Sequence, residues 1–190
     1  KQGIPTIITE VMSISQAIAS MEMVSSIPSP PPCYITHITG IFDEYIQRWV
    51  QQQGLDISRD ALRHAGLAVA QKQYQLMQEY GTSAVMLGGG ARDLHHFTDF
   101  IGGKLHITIN WKQSADRLIE EDKPVFCTFT APVPQRICDI LTSALPDMRR
   151  AYFPWELTVE EFQNFGPVQL FRSMFIDGWD SLTQAIAERR

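Results

Sequence analysis

The sequence predicts an α/β protein built on parallel strands, and three observations lead there. Short β-branched, apolar runs alternate with longer segments of helical periodicity, four times in succession. The runs are nearly continuous in apolar character, as strands covered on both faces are. Glycine and proline clusters fall between these segments rather than inside them. Right-handed crossovers would arrange such units as a doubly wound sheet or as part of a barrel, and periodicity does not choose between the two.

The first strand is Ile4–Thr9 (IPTIIT), followed by a helix that Ser13 caps and that repeats Ile14, Ala17, Ile18 and Met21 on one side. Residues 25–32 (SSIPSPPP) suit neither kind of element and read as a stiff connection. Cys33–Ile38 is the second strand, with a helix from Phe42 to Gln53 after it. One long helix is expected over Ile57–Tyr80, buried through Ala61, Leu62, Ala65, Val69, Leu76 and Met77 and ended by Gly81. Ser83–Leu87 is the third strand, running into Gly88-Gly89-Gly90, and Asp93–Ile101 a short helix. Leu105–Ile109 is the fourth strand and Lys112–Glu121 its helix. Beyond Asp122 the alternation stops, and helices are expected at Gln135–Leu145, Thr158–Asn164 and Leu170–Glu188. The chain therefore divides into βα units over 1–122 and a helical extension over 123–190 that packs on them.

Composition narrows the function classes. With 190 residues, 44% hydrophobic and 19% charged, the chain has the make-up of an ordinary globular protein with ample core. A formal charge of −5 argues against nucleic acid or an anionic membrane as partner. Cys33, Cys127 and Cys138 form no CxxC pair and no even framework, which points to a reducing, cytoplasmic setting without disulfides or structural zinc. No apolar run approaches the roughly 20 residues that cross a bilayer.

Gly3 to Gln16-Ala17 (GIPTIITEVMSISQA), Cys33 to Tyr45 (CYITHITGIFDEY), Val85 to Asp93 (VMLGGGARD) and Leu105 to Asn110 (LHITIN) resemble, in order, the fifth to eighth barrel strands of the transaldolase and fructose-6-phosphate aldolase family. Phe153-Pro154-Trp155-Glu156-Leu157 and Arg172–Asp177 are similar to its closing segment. The resemblance implies the C-terminal half of a TIM (β/α)8 barrel with closing helices, and Schiff-base aldol transfer or cleavage of a ketose, in carbohydrate metabolism such as the pentose phosphate pathway. No cofactor and no metal is implied. The family's imine-forming lysine lies on the strand before the counterpart of Gly3. An N-terminal half or a companion chain would have to supply it, since Lys1 matches a helix end and Lys104 and Lys112 fall at a strand start and in a helix. The chain by itself is expected to be inactive.

The same resemblance implies roles for particular residues. Thr9 matches the threonine that positions the catalytic water, although a strand-end threonine is also simply a good β former. Thr36 and Arg92 match phosphate-binding residues, Arg92 through its planar donor fork. Gly88, Gly89 and Gly90 would let backbone amides approach the sugar or sugar phosphate, and Asn110 would bind it at the end of the fourth strand. A tight turn accounts for the glycines equally well. Several positions depart from the family pattern: Ile41 replaces a second phosphate-binding arginine, Ile7 an asparagine, Gly90 a serine, and His37 and Ile38 a proline and a phenylalanine. Phosphate recognition is thus expected to be altered, with His37 either an acid–base group or a buried structural histidine. The rival reading is a non-catalytic homologue serving as a binding or assembly module.

Two further features receive structural readings. His95 and His96, adjacent on a helix, diverge by about 100° and have no Cys, His or Asp cluster to join them, so solvated helix surface is expected. The aromatic-rich tail (including Tyr152, Phe153, Trp155, Phe162, Phe165, Phe171, Phe175 and Trp179) is expected to pack over the barrel.

Overall fold

The computed structural model describes residues 3–189; Lys1 lies outside them. Four strands, β1 (Thr6–Val11), β2 (Cys33–Ile38), β3 (Val85–Gly89) and β4 (Leu105–Ile107), form one sheet in consecutive order, every pair parallel. The chain is an α/β protein, and its described strands show no reversal of order of the kind that defines a doubly wound sheet. Crossovers of one hand between consecutive strands carry each connecting helix to the same face.

The cross-strand register separates the two faces. Ile8, Ile35, Met86 and Leu105 align in one row, and His37, Gly88 and Ile107 in another, all on the helix-covered side. The opposite side carries Ile7, Tyr34 and Val85 in one row and Thr36, Leu87 and His106 in the next. Ile7 is 60% exposed, although a strand interior favours burying such a side chain.

Helix α1 (Ile14–Ser25) begins where Ser13 accepts the amide of Gln16, and buries Ile14, Ala17, Ile18 and Met21 as its spacing requires. Helix α2 (Thr39–Gln53) starts directly off β2, three residues earlier than the sequence suggests, and ends at left-handed Gly54. The long helix expected over Ile57–Tyr80 is two helices, α3 (Arg59–Arg63) and α4 (Ala65–Tyr80). At the break the Nδ1 of His64 lies 2.6 Å from the carbonyl of Asp60, taking an oxygen that a continuous helix would give to a backbone amide. Strands β1 and β3 sit two residues later than the sequence suggests, and β4 is two residues shorter.

Helix α5 (His95–Thr98) is a short turn after β3, and a π-turn (Trp111–Ala115) leads into α6 (Asp116–Glu121) after β4. Helix α7 (Gln135–Ala144) is followed by α8 (Pro146–Tyr152), where the sequence predicts none. Pro146 reads as a breaker yet fits the first turn of a helix, whose early amides have no internal partner. A 3-10 turn (Val159–Asn164) and α9 (Gly166–Ala187) complete the chain. Leu141, Leu145, Met148 and Phe165 of this region are fully buried in the same core as the sheet. The aromatic tail divides: Phe165 is in the core, whereas Phe175 and Trp179 on α9 are 63% and 66% exposed, so packing over the sheet holds for only part of it. No helix of the described residues is long and apolar enough to cross a membrane.

Candidate functional site

Parallel α/β sheets carry their ligands at the carboxyl ends of the strands, where helix N-termini and loops converge. Here that edge is formed by the last residues of each strand. Thr36 lies on the uncovered face with its methyl group toward Gly89, and its hydroxyl is buried without a hydrogen-bond partner. Thr108 donates its hydroxyl to the carbonyl of Gly88 at 3.3 Å and stands beside Gly89. Thr9 belongs to the same edge, at a register shift of β1 between Ile8 and Val11.

The three glycines have three different roles. A side chain on Gly88 would meet Ile107 and Phe100, so this residue packs against the helix layer and does not face a substrate. Gly89 faces the uncovered side. Gly90 has φ +66°, and a Cβ there would stand 2.5 Å from a methyl of Ile38, so no other residue fits this turn. Gly90, Arg92 and Asn110 line one polar cavity of about 500 Å³ together with Thr108, Ser114 and Arg117. Asn110 also caps the following turn by accepting the amide of Gln113 at 3.3 Å. A larger cleft of about 980 Å³, mostly apolar, lies beyond β4 against α5 and α6 and shares Asp93, Ile109 and Arg117 with the first.

Arg92 is committed to other groups. Its Nε donates to Glu44 at 2.8 Å, and a second nitrogen lies 3.6 Å from the sulfur of Met174 on α9. Burial works to raise the Glu44 carboxyl, but Arg92 and Arg48 hold it below its ordinary range. Ile41, where the family pattern has its other arginine, is fully buried against Gly90. Among the described residues, Arg92 and the Ile41 position therefore supply no free pair of guanidinium groups to a phosphate across β2 and β3.

The expectation that His95 and His96 are solvated helix surface is overturned. His96 and Asp43 form a buried pair, Nε2 to Oδ2 at 3.0 Å, and His95 completes a group whose ligand atoms all lie within 4.8 Å of one another. Adjacent helical residues do diverge, but α5 is a single turn pressed against the start of α2, and Asp43 was hidden from sequence reading by a separation of more than 50 positions. The proton inventory of the trio is that of a hydrogen-bonded dyad. The Nδ1 of His96 accepts the amides of both Arg92 and Asp93 at 3.0 Å, so its proton sits on Nε2 and is donated to Asp43. A cation on that nitrogen would require an imidazolate. Asp43 also accepts the amide of Gly66 at 2.6 Å; burial raises its pKa, while His96 and Gly66 oppose the shift.

His37 faces the helix layer, with Nε2 3.1 Å from the carbonyl of Gly66, and burial pushes its pKa down to about 4. Alternation along β2 places it opposite to Thr36, which removes it from the uncovered face; of its two readings the buried structural histidine is the one its position matches. Sequence reading passed over His106 and Tyr34, whose rings meet edge to face at 5.5 Å on the uncovered side. A polar aromatic between two apolar strand residues, as in Leu105-His106-Ile107, is the signal that marks such a position. It also passed over Lys72 on α4. Desolvation lowers the pKa of this lysine, but its ammonium lies 3.9 Å over the ring of Tyr152, and it lines a cavity with Phe129 and Cys138 that includes none of the strand-end residues.

Compared with protein-family models and with curated proteins, the chain matches none.

Proposed function

We propose that this chain is the C-terminal half of a transaldolase-type (β/α)8 barrel. In this reading it contributes sugar-binding groups to Schiff-base transfer or cleavage of a ketose, while the lysine comes from an N-terminal half or a companion chain. The observation that carries the reading is the sheet itself. Four parallel strands in consecutive order leave one face uncovered, with Thr9, Thr36, Gly89 and Thr108 gathered at its carboxyl edge. Among the described residues, strands β1 and β4 have no strand paired on their outer edges, which another half-barrel would satisfy.

The engagement of Arg92 by Glu44 and the burial of Ile41 favour a substrate without a strongly bound phosphate, such as a free ketose or dihydroxyacetone. The same two observations are what a non-catalytic assembly module would display. Borohydride reduction in the presence of dihydroxyacetone separates the readings. The complete barrel gains a covalent adduct on a lysine, visible by mass spectrometry, and the 190-residue chain alone gains none. Absence of adduct on the complete barrel favours the assembly module.

A further inference from the structure

We propose that the cleft beyond β4 binds an amphipathic carboxylate, an apolar chain with one anionic head, and that Arg117 holds the head. The inference does not depend on the transaldolase-type reading. The cleft follows from the connections between strands. Those from β1 to β2 and from β2 to β3 carry the long helices α1, α2 and α4, of 12, 15 and 16 residues. The connection from β3 to β4 carries only the four residues of α5. A helix of that size is about 6 Å long, too short to cover the strand beside it. A space of about 980 Å³ is left between α5, α6 and Ile107 of β4.

The walls of this space suit an apolar body. Leu94, Phe97, Ile109 and Leu118 line it, together with Val125 and Phe126 of the coil after α6, which are 75% and 65% exposed. That coil is fastened at its far end by Thr128, whose amide donates to the carbonyl of Ile101 at 3.0 Å and whose hydroxyl donates to that of Thr98 at 2.7 Å. Side chains of this size stand in water at a cost that an apolar ligand lying on them removes. The volume is that of a small-molecule site, for which about 300–1,000 Å³ is usual.

The head group is identified by the one guanidinium whose donors are unfilled. Arg63, at the rim, gives its fork to Asp99 at 2.9 and 3.2 Å, and Arg92 is held by Glu44. Arg117 makes no hydrogen bond among the described residues. Its ion pair with Glu121 is loose at 3.7 Å, and that carboxylate already meets Lys123 at 2.6 Å. Asp93, on the same wall, accepts the amide of Leu94 at 2.7 Å and faces His95 at 3.6 Å. Arg117 lines both the apolar cleft and the polar cavity of Asn110 and Ser114, so it stands at their junction. A chain lying on Leu94 and Ile109 brings its head to that junction, where a carboxylate matches the planar fork with two hydrogen bonds.

Calorimetric titration of the full-length protein with octanoate, decanoate and 1-octanol tests the proposal. Decanoate is expected to bind about tenfold more tightly than octanoate, because two more methylene groups leave water. Arg117→Gln is expected to weaken octanoate about tenfold and to abolish its advantage over 1-octanol. Ile109→Asp, at a position 48% exposed and so tolerated by the fold, is expected to abolish binding by placing an anion on the wall. Wild-type protein that binds neither carboxylate overturns the proposal. So does octanoate affinity unchanged in Arg117→Gln, or decanoate affinity unchanged in Ile109→Asp.

Discussion

Asp43 and His96 face each other at 3.0 Å with side chains only 3% and 4% exposed, and each holds a further element in place. Asp43 takes the amide of Gly66 at the start of α4, whose carbonyl meets His37 of β2. His96 takes the amides of Arg92 and Asp93 in the turn after β3. One run of hydrogen bonds thus ties β2, α4, α2 and the β3 turn together at the carboxyl edge of the sheet. Every link is between residues distant in the chain or uses a backbone atom.

Removing the imidazole breaks that run at its centre. His96→Ala leaves two backbone amides without their acceptor and a buried carboxylate without one of its two donors. A loss of about 2–4 kcal/mol in urea unfolding is expected. A change below about 1 kcal/mol would mean that water replaces the ring without cost.

The His37 ring makes stability depend on pH. Its folded pKa of about 4 lies below the ordinary 6.5, so the unfolded chain binds a proton that the folded chain refuses. The stabilisation is complete above the unfolded value and is lost as pH falls toward about 4. Between pH 7 and pH 5 the wild type is expected to lose about 2 kcal/mol more than His37→Gln, which can still donate to Gly66. The raised pKa of Asp43 acts in the opposite sense but is common to both proteins, so it cancels in the comparison.

Gly66 inverts the usual helix rule. Alanine in a helix is ordinarily better than glycine by up to about 1 kcal/mol. Here a Cβ would stand 2.7 Å from the methyl of Thr39 and 2.9 Å from Oδ1 of Asp43. Gly66→Ala is expected to destabilise by about 1–3 kcal/mol, and a gain in thermal midpoint would contradict the close approach of α2 and α4.

Glu44 governs whether Arg92 can hold an anion. Releasing the guanidinium with Glu44→Gln is expected to tighten binding of inorganic phosphate about tenfold by calorimetry, the effect of about 1.4 kcal/mol. Adding Arg92→Ala should remove that gain. If Glu44→Gln leaves phosphate binding unaltered, the cavity beside Arg92 is not an anion site.

Much of the layout was legible from local pattern. Ser13 and Gly81 mark helix ends because capping and left-handed termination depend on a few neighbouring residues. Cys33–Ile38 reads as a buried strand at its true limits because its apolar, β-branched run begins directly after Pro30-Pro31-Pro32 and ends before Thr39-Gly40. The break at His64 was not legible, since it depends on a side chain capturing a nearby carbonyl within an unbroken helical pattern. The site divides in the same way. Gly90, Arg92 and Asn110 were found because they sit where strands end, and the structure places them around one cavity. The bulge at Thr9 and Glu10 was not, because a register shift exists only between two strands.

By itself, then, the sequence determined the four strands, most of the helices and the parallel run of the strands, through periodicity and short-range capping, but neither the extra helix at Pro146–Tyr152 nor the break at His64. The tertiary structure alone decided the order of the strands, which face of each is covered, and which charges are already paired. Asp43 and His96 are 53 positions apart, and no local rule could bring them into contact. Long-range packing did, by pressing α5 onto the start of α2 and excluding the water that would otherwise have satisfied both groups.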